Sequence, residues 1–103
     1  MQRIIKESRL REYAKQHLRA ASSLRLWRTA IRNASWKTFA DVKHTFGSAD
    51  QITLPNGFRV VVFNIGGGAF RLITAIHYNR GIVYIRKFMT HAEYSKEEWK
   101  NDP

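Results

Sequence analysis

Apolar residues in the front of the chain recur at helical spacing, and those further along alternate as strands do. Gln2–Ile5 reads as a short strand. Ser8 then stands where a helix N-cap belongs, and Leu10, Tyr13, Ala14, His17 and Leu18 follow at helical intervals. Leu24, Trp27, Ile31 and Ala34 mark the apolar face of a second helix ending near Asn33. Within SWKTFADVKHTF, Thr38 and Asp41 predict a capping box and a short third helix. LPNGF (Leu54–Phe58) is a turn, because Pro55 presets φ and Gly57 accepts positive φ. Three strands follow, Phe58–Ile65, Ala69–Tyr78 and Ile82–Met89, joined as hairpins by Gly66–Gly68 and Asn79–Gly81. Residues 90–103 read as a turn and short helix or tail, docked by Trp99. The expected class is α+β: N-terminal helices packed on one face of a small antiparallel β-sheet, with residues 1–103 forming one domain.

Charge changes this picture most. The 103 residues carry 18 Lys and Arg against 8 Asp and Glu, a net charge of +10. Residues 1–46 account for +8 of it. Such a field attracts polyanions, of which nucleic acid is the commonest. Arg11, Lys15 and Arg19 form one row at four-residue intervals, and Arg25, Arg28 and Arg32 form a second, both with few acidic neighbours. These six, with Lys87, are candidates for contact with RNA or a ribosome; a solvated face or a docking surface for an acidic protein are the alternatives. Cysteine is absent, which excludes disulfides and thiolate metal sites and suits a reducing cytoplasm. Arg3, Lys6, Glu7, Arg9 and Arg11 interrupt any early apolar run, so no secretory signal is expected. No apolar run approaches the roughly 18 residues of a membrane span.

The sequence offers little to metal chemistry: His17, His44, His77 and His91 are dispersed, and no HExxH or carboxylate cluster occurs. Gly66–Gly68 is a turn rather than a phosphate loop, since no Gly-Lys-Ser/Thr follows. What remains is a basic site without a metal or cofactor. RNA suits it, because the ribose 2′-OH is a built-in nucleophile beside each phosphate. Cleavage needs the 2′-OH proton removed, charge on the transition state neutralised, and the departing 5′-oxygen protonated. Arginine meets the second need; histidine and tyrosine can serve the others. Arg71 shares a strand face with Ile73, Ala75 and His77, and parity places Arg86 with Ile82, Tyr84 and Phe88. His91 and Tyr94 lie three apart just beyond the last strand. A purely structural reading has both arginines snorkelling at a sheet margin and His77 packed at a strand end. A noncatalytic RNA-binding module would instead expose Phe63, Phe70, Tyr78 and Tyr84 as a stacking surface.

FNIGGGAFRL (63–72) followed by YIRKFMTHAEY (84–94) resembles the HigB toxin family, a branch of the RelE-like ribosome-dependent mRNA endonucleases. Ile4-Ile5, LREYAKQH (10–17), LRLWRTAI (24–31) and WKTFADVKHTF (36–46) agree in order, so the likeness spans nearly the whole chain. It departs at Gly68, where the family often has Asn, and at Ser95, where it often has Asp. The resemblance implies a RelE-like fold and a cytoplasmic toxin cutting mRNA in the ribosomal A site; attack by the 2′-OH would leave a 2′,3′-cyclic phosphate. It implies neutralisation by a HigA-type helix-turn-helix antitoxin, the pair binding operator DNA together. Carried over by position, Arg71 and Arg86 stabilise phosphate charge, while His91 and Tyr94 handle protons or position the substrate.

Overall fold

A computed structural model describes residues 2–101. The described residues form four α-helices and a five-stranded sheet of order β1-β5-β4-β3-β2. The strands are β1 (Arg3–Ile5), β2 (Asp50–Thr53), β3 (Arg59–Ile65), β4 (Phe70–His77) and β5 (Ile82–Thr90). The helices are α1 (Ser8–Gln16), α2 (Ala21–Asn33), α3 (Phe39–Thr45) and α4 (His91–Ser95). β2 through β5 pair antiparallel, as the hairpin signals require, and β1 adds a parallel strand against Ile82–Tyr84. The sheet is therefore mixed, and the class is α+β as expected.

The sheet has an apolar layer on each face. Val61, Phe63, Ile65, Phe70, Leu72, Val83 and Ile85 pack against Leu10, Leu24, Trp27, Ile31 and Val42 from the three N-terminal helices and Trp36 from the link between α2 and α3. Trp27, Ile31, Phe63 and Leu72 are almost completely shielded. Burying side chains of this size contributes about 1.5–3 kcal/mol each, which makes this layer the chief source of stability. The opposite face is thinner: Leu54, Val60, Val62, Ile73, Met89 and Trp99 form its cluster, with Ile52 and Tyr94 at the margin. Here the segment after β5 folds back, and Trp99 fastens it by donating from Nε1 to the Tyr94 carbonyl at 3.1 Å.

Three local expectations change. Ser8 is the first residue of α1 rather than its cap; Glu7 occupies the cap position and no side chain caps the helix. Helix α1 ends at Gln16, so Leu18 falls in a 3₁₀ turn and stands 79% exposed. Strict alternation fails on β5, where the register shifts between Ile73 and Thr74: Ile73 pairs with Lys87 and Thr74 with Ile85. Arg86 is thus the extra residue of a β-bulge. Phe88 turns to the helical layer, against Tyr13 and Phe70, while Met89 joins the opposite cluster.

Candidate active site

Each of the four residues proposed for chemistry is held by a different local device. Gly66, Gly67 and Gly68 take φ of 62°, 65° and 95°, values that side-chain-bearing residues avoid, and this tight turn starts β4. Arg71 returns to it, Nη1 donating to the Gly68 carbonyl at 2.6 Å and to the Phe70 carbonyl at 3.1 Å. Those bonds fix the guanidinium, whose Cζ lies 5.4 Å from the centre of the Tyr94 ring.

Tyr94 is placed from the other side. Helix α4 begins in a capping box: Thr90 Oγ1 accepts from the Glu93 backbone N–H, and the Glu93 carboxylate accepts from the Thr90 N–H at 3.0 Å. One turn later the Tyr94 ring stacks on Trp99 at 5.2 Å. Burial raises its phenol above the ordinary range, reinforced by the Asp50 charge and opposed by Lys100 and Arg71. It therefore holds its proton at neutral pH and can donate it.

His91 opens α4. Its backbone N–H donates to the Ala69 carbonyl at 2.9 Å, tying the helix to the glycine turn, and its side chain is exposed. Arg71, Tyr94 and His91 thus share one end of the sheet. Arg86 enters by another route: the bulge aims its guanidinium over the Phe58 ring at 5.3 Å, and it lines a cleft of about 470 Å³ that reaches Trp99. Trp99 therefore stands between the Arg71–Tyr94 contact and the Arg86 cleft, touching both.

That cleft opens beside β5, beyond the Ile82–Tyr84 segment that pairs with β1. Arg9 bonds to this part of the strand, Nη1 donating to the Arg86 carbonyl at 3.2 Å and to the Ile85 carbonyl at 3.4 Å. Tyr13, Lys87, Glu93 and Lys96 complete the rim. The capping bonds from Thr90 hold the Glu93 carboxyl below its ordinary range, with smaller help from His17 and Lys96. Sequence reasoning missed Tyr13, Glu93 and Lys96. Tyr13 was hidden in the apolar pattern of α1, whereas the Thr90–Glu93 spacing is a readable capping signal.

The basic rows lie elsewhere, on the helices. Arg11, Lys15, Arg19 and Arg25 are exposed. Arg28 and Arg32 are not the unpaired cations that their own helix suggests: both reach Glu7, at 3.1 and 2.7 Å. Burial opposes ionisation of Glu7, but the two arginines outweigh it and keep the carboxyl below its ordinary range. Phe63 and Phe70 are buried against the helices, so they offer no stacking surface; Tyr78 and Tyr84 are half-buried.

Among the described residues no helix is long and apolar enough to cross a membrane. No curated protein matches the chain. Residues 20–97 match the HigB toxin family, described as the RelE-like toxic component of a toxin-antitoxin system. That span is most of the 103 residues and includes Arg71, Arg86, His91 and Tyr94. The protein belongs to the HigB toxin family.

Proposed function

We propose that the protein is an endoribonuclease that cuts mRNA on the ribosome through attack of a ribose 2′-OH, using side chains alone. The observation that carries this reading is the Arg71 guanidinium, fixed by two backbone carbonyls and set over the ring of a protonated tyrosine. A permanently charged fork held in place costs no reorganisation when charge develops on phosphate.

In this scheme His91 takes the 2′-OH proton. The freed oxygen attacks phosphorus, the bond to the 5′-oxygen breaks, and Tyr94 protonates that oxygen as it leaves. The products are a 2′,3′-cyclic phosphate and a 5′-hydroxyl. Arg71 neutralises the equatorial oxygens, and Arg86 approaches from the cleft beyond Trp99. An exposed histidine on a five-residue helix is weakly positioned for this task. The ribosome supplies the missing orientation by bending and aligning the message, an entropic contribution that can amount to several kcal/mol. The matching antitoxin is of HigA type, and the pair acts in the cytoplasm, binding operator DNA only together.

The test adds purified protein to a translating extract and maps mRNA 5′ ends. New ends that persist in preassembled complexes treated with EDTA, and that vanish with His91→Ala and Arg71→Ala while ribosome association survives, are the expected result. Ribosome binding without new ends would leave a noncatalytic binder.

A further inference from the structure

Three rings form a column that begins in the core and ends at the cleft. Phe70, on β4 and 2% exposed, stacks on Phe88 of β5 at 5.3 Å and 18°. Phe88 stacks on Tyr13 of α1 at 5.0 Å and 16°. The inner end is closed by the Arg19 guanidinium, 5.9 Å from the Phe70 centroid, and by the His17 ring at 5.0 Å. The outer member, Tyr13, is half-buried and lines the cleft of about 470 Å³.

Stability alone does not require this arrangement. The bulge at Arg86 turns Phe88 to the helical face, and only then can a ring from α1 continue the stack. Burial keeps the Tyr13 phenol protonated, opposed by Arg9, so its ring is neutral and its flat face is suited to another aromatic plane. Arg86, Lys87 and Lys96 line the cleft together with Glu93 and Glu98. A flat ring that ends an aromatic column in a cleft with basic side chains suits one ligand chemistry: a nucleobase carrying its own phosphate.

We infer that Tyr13 is the seat of one unstacked RNA base, which extends the Phe70–Phe88–Tyr13 column as a fourth ring, outside the four residues assigned to cleavage. This subsite rests on the nuclease reading for its substrate class and adds to it the place where the chain grips a base. It selects a splayed single strand, because a base paired in a helix has no free face to offer.

The test uses fluorescein-labelled RNA tetranucleotides carrying 2′-O-methylribose throughout, so that no 2′-OH is left to attack, and variants in which single bases are replaced by hydrogen. Anisotropy titrations compare the wild type with Tyr13→Leu and Tyr13→Phe. Base–aromatic stacking predicts that removing the seated base weakens wild-type binding about tenfold, that Tyr13→Phe behaves the same way, and that Tyr13→Leu loses this discrimination. Equal discrimination in Tyr13→Leu overturns the seat, as does failure of the wild type to bind the full probe at millimolar concentration. Messenger cleavage in the extract, measured in parallel, separates the two readings. Cleavage without base discrimination sinks the seat and leaves the nuclease, while discrimination at Tyr13 without cleavage keeps the seat and sinks the nuclease.

Discussion

At the scale of single residues, the notable fact about Tyr94 is that its ring and its hydroxyl do different work. The ring touches Trp99 on one side and carries Arg71 at 5.4 Å; the phenol, which burial pushes above its ordinary range, is the proton donor in the proposed cleavage. Tyr94→Phe keeps the ring and removes only the donor. It should lower cleavage on preassembled ribosomal complexes by at least about tenfold, within the range typical of a lost proton donor. The thermal midpoint should stay within a few degrees of the wild type, and an unchanged cleavage rate would move the donor role elsewhere. Tyr94→Ala, by contrast, uncovers Trp99 and should lower both. Residue types at these positions were readable in the sequence because chemistry depends on type. Their mutual placement was not, since it hangs on carbonyls of a glycine turn and on a tryptophan beyond the last strand.

At the scale of elements, what could be read was local. Thr38 and Asp41 close the capping box of α3 because both partners lie within one turn, and the strands β3 to β5 followed from alternation and from glycines at their turns. The parallel partner of β5 was illegible, because a three-residue strand pairs across most of the chain. So was β2, whose DQIT alternates too weakly to stand out from a loop. The bulge at Arg86 leaves no mark in composition and reverses every facing assignment after it, which is why parity grouped Phe88 with Ile82 and Tyr84. The box that starts α4 gives this scale its prediction. Backbone and side-chain hydrogen bonds from Thr90 hold the Glu93 carboxyl below its ordinary value, so ionised Glu93 favours the folded state. That contribution is complete above the unfolded glutamate value of about 4.3 and fades as pH falls through the lower folded value. Glu93→Gln should therefore lower the thermal midpoint at pH 7 and make much less difference at pH 3. A midpoint difference that is the same at both pH values would show that the charge of Glu93 has no part in holding α4.

At the scale of the whole molecule, the question is how basic helices serve a site built on the sheet. The first row reaches toward the site, since Arg19 lies over Phe70, whose carbonyl also holds Arg71; the second is engaged on the helices with Glu7. Their members are not equivalent. Arg11, Lys15 and Arg19 are exposed, whereas Arg28 and Arg32 converge on Glu7, and an arginine that leaves a carboxylate to meet phosphate gains less than one that leaves water. Replacing Arg11, Lys15 and Arg19 together with alanine should reduce the slope of log affinity against log salt for ribosome binding by roughly 2, if each gives up one phosphate contact. The Arg28 and Arg32 pair should change that slope by less than two such contacts would. In its place a small loss of stability should appear, on the order of 1 kcal/mol or below, as expected for partly exposed ion pairs. Glu7→Gln supplies the converse: it releases both arginines, so ribosome binding should tighten and the slope should steepen. Cleavage in preassembled complexes should be unaffected by Glu7→Gln and by the Arg28 and Arg32 pair, because these side chains bind one another on the helices. A cleavage rate that falls in step with affinity would mean that the helical face and the sheet site act as one surface on the message.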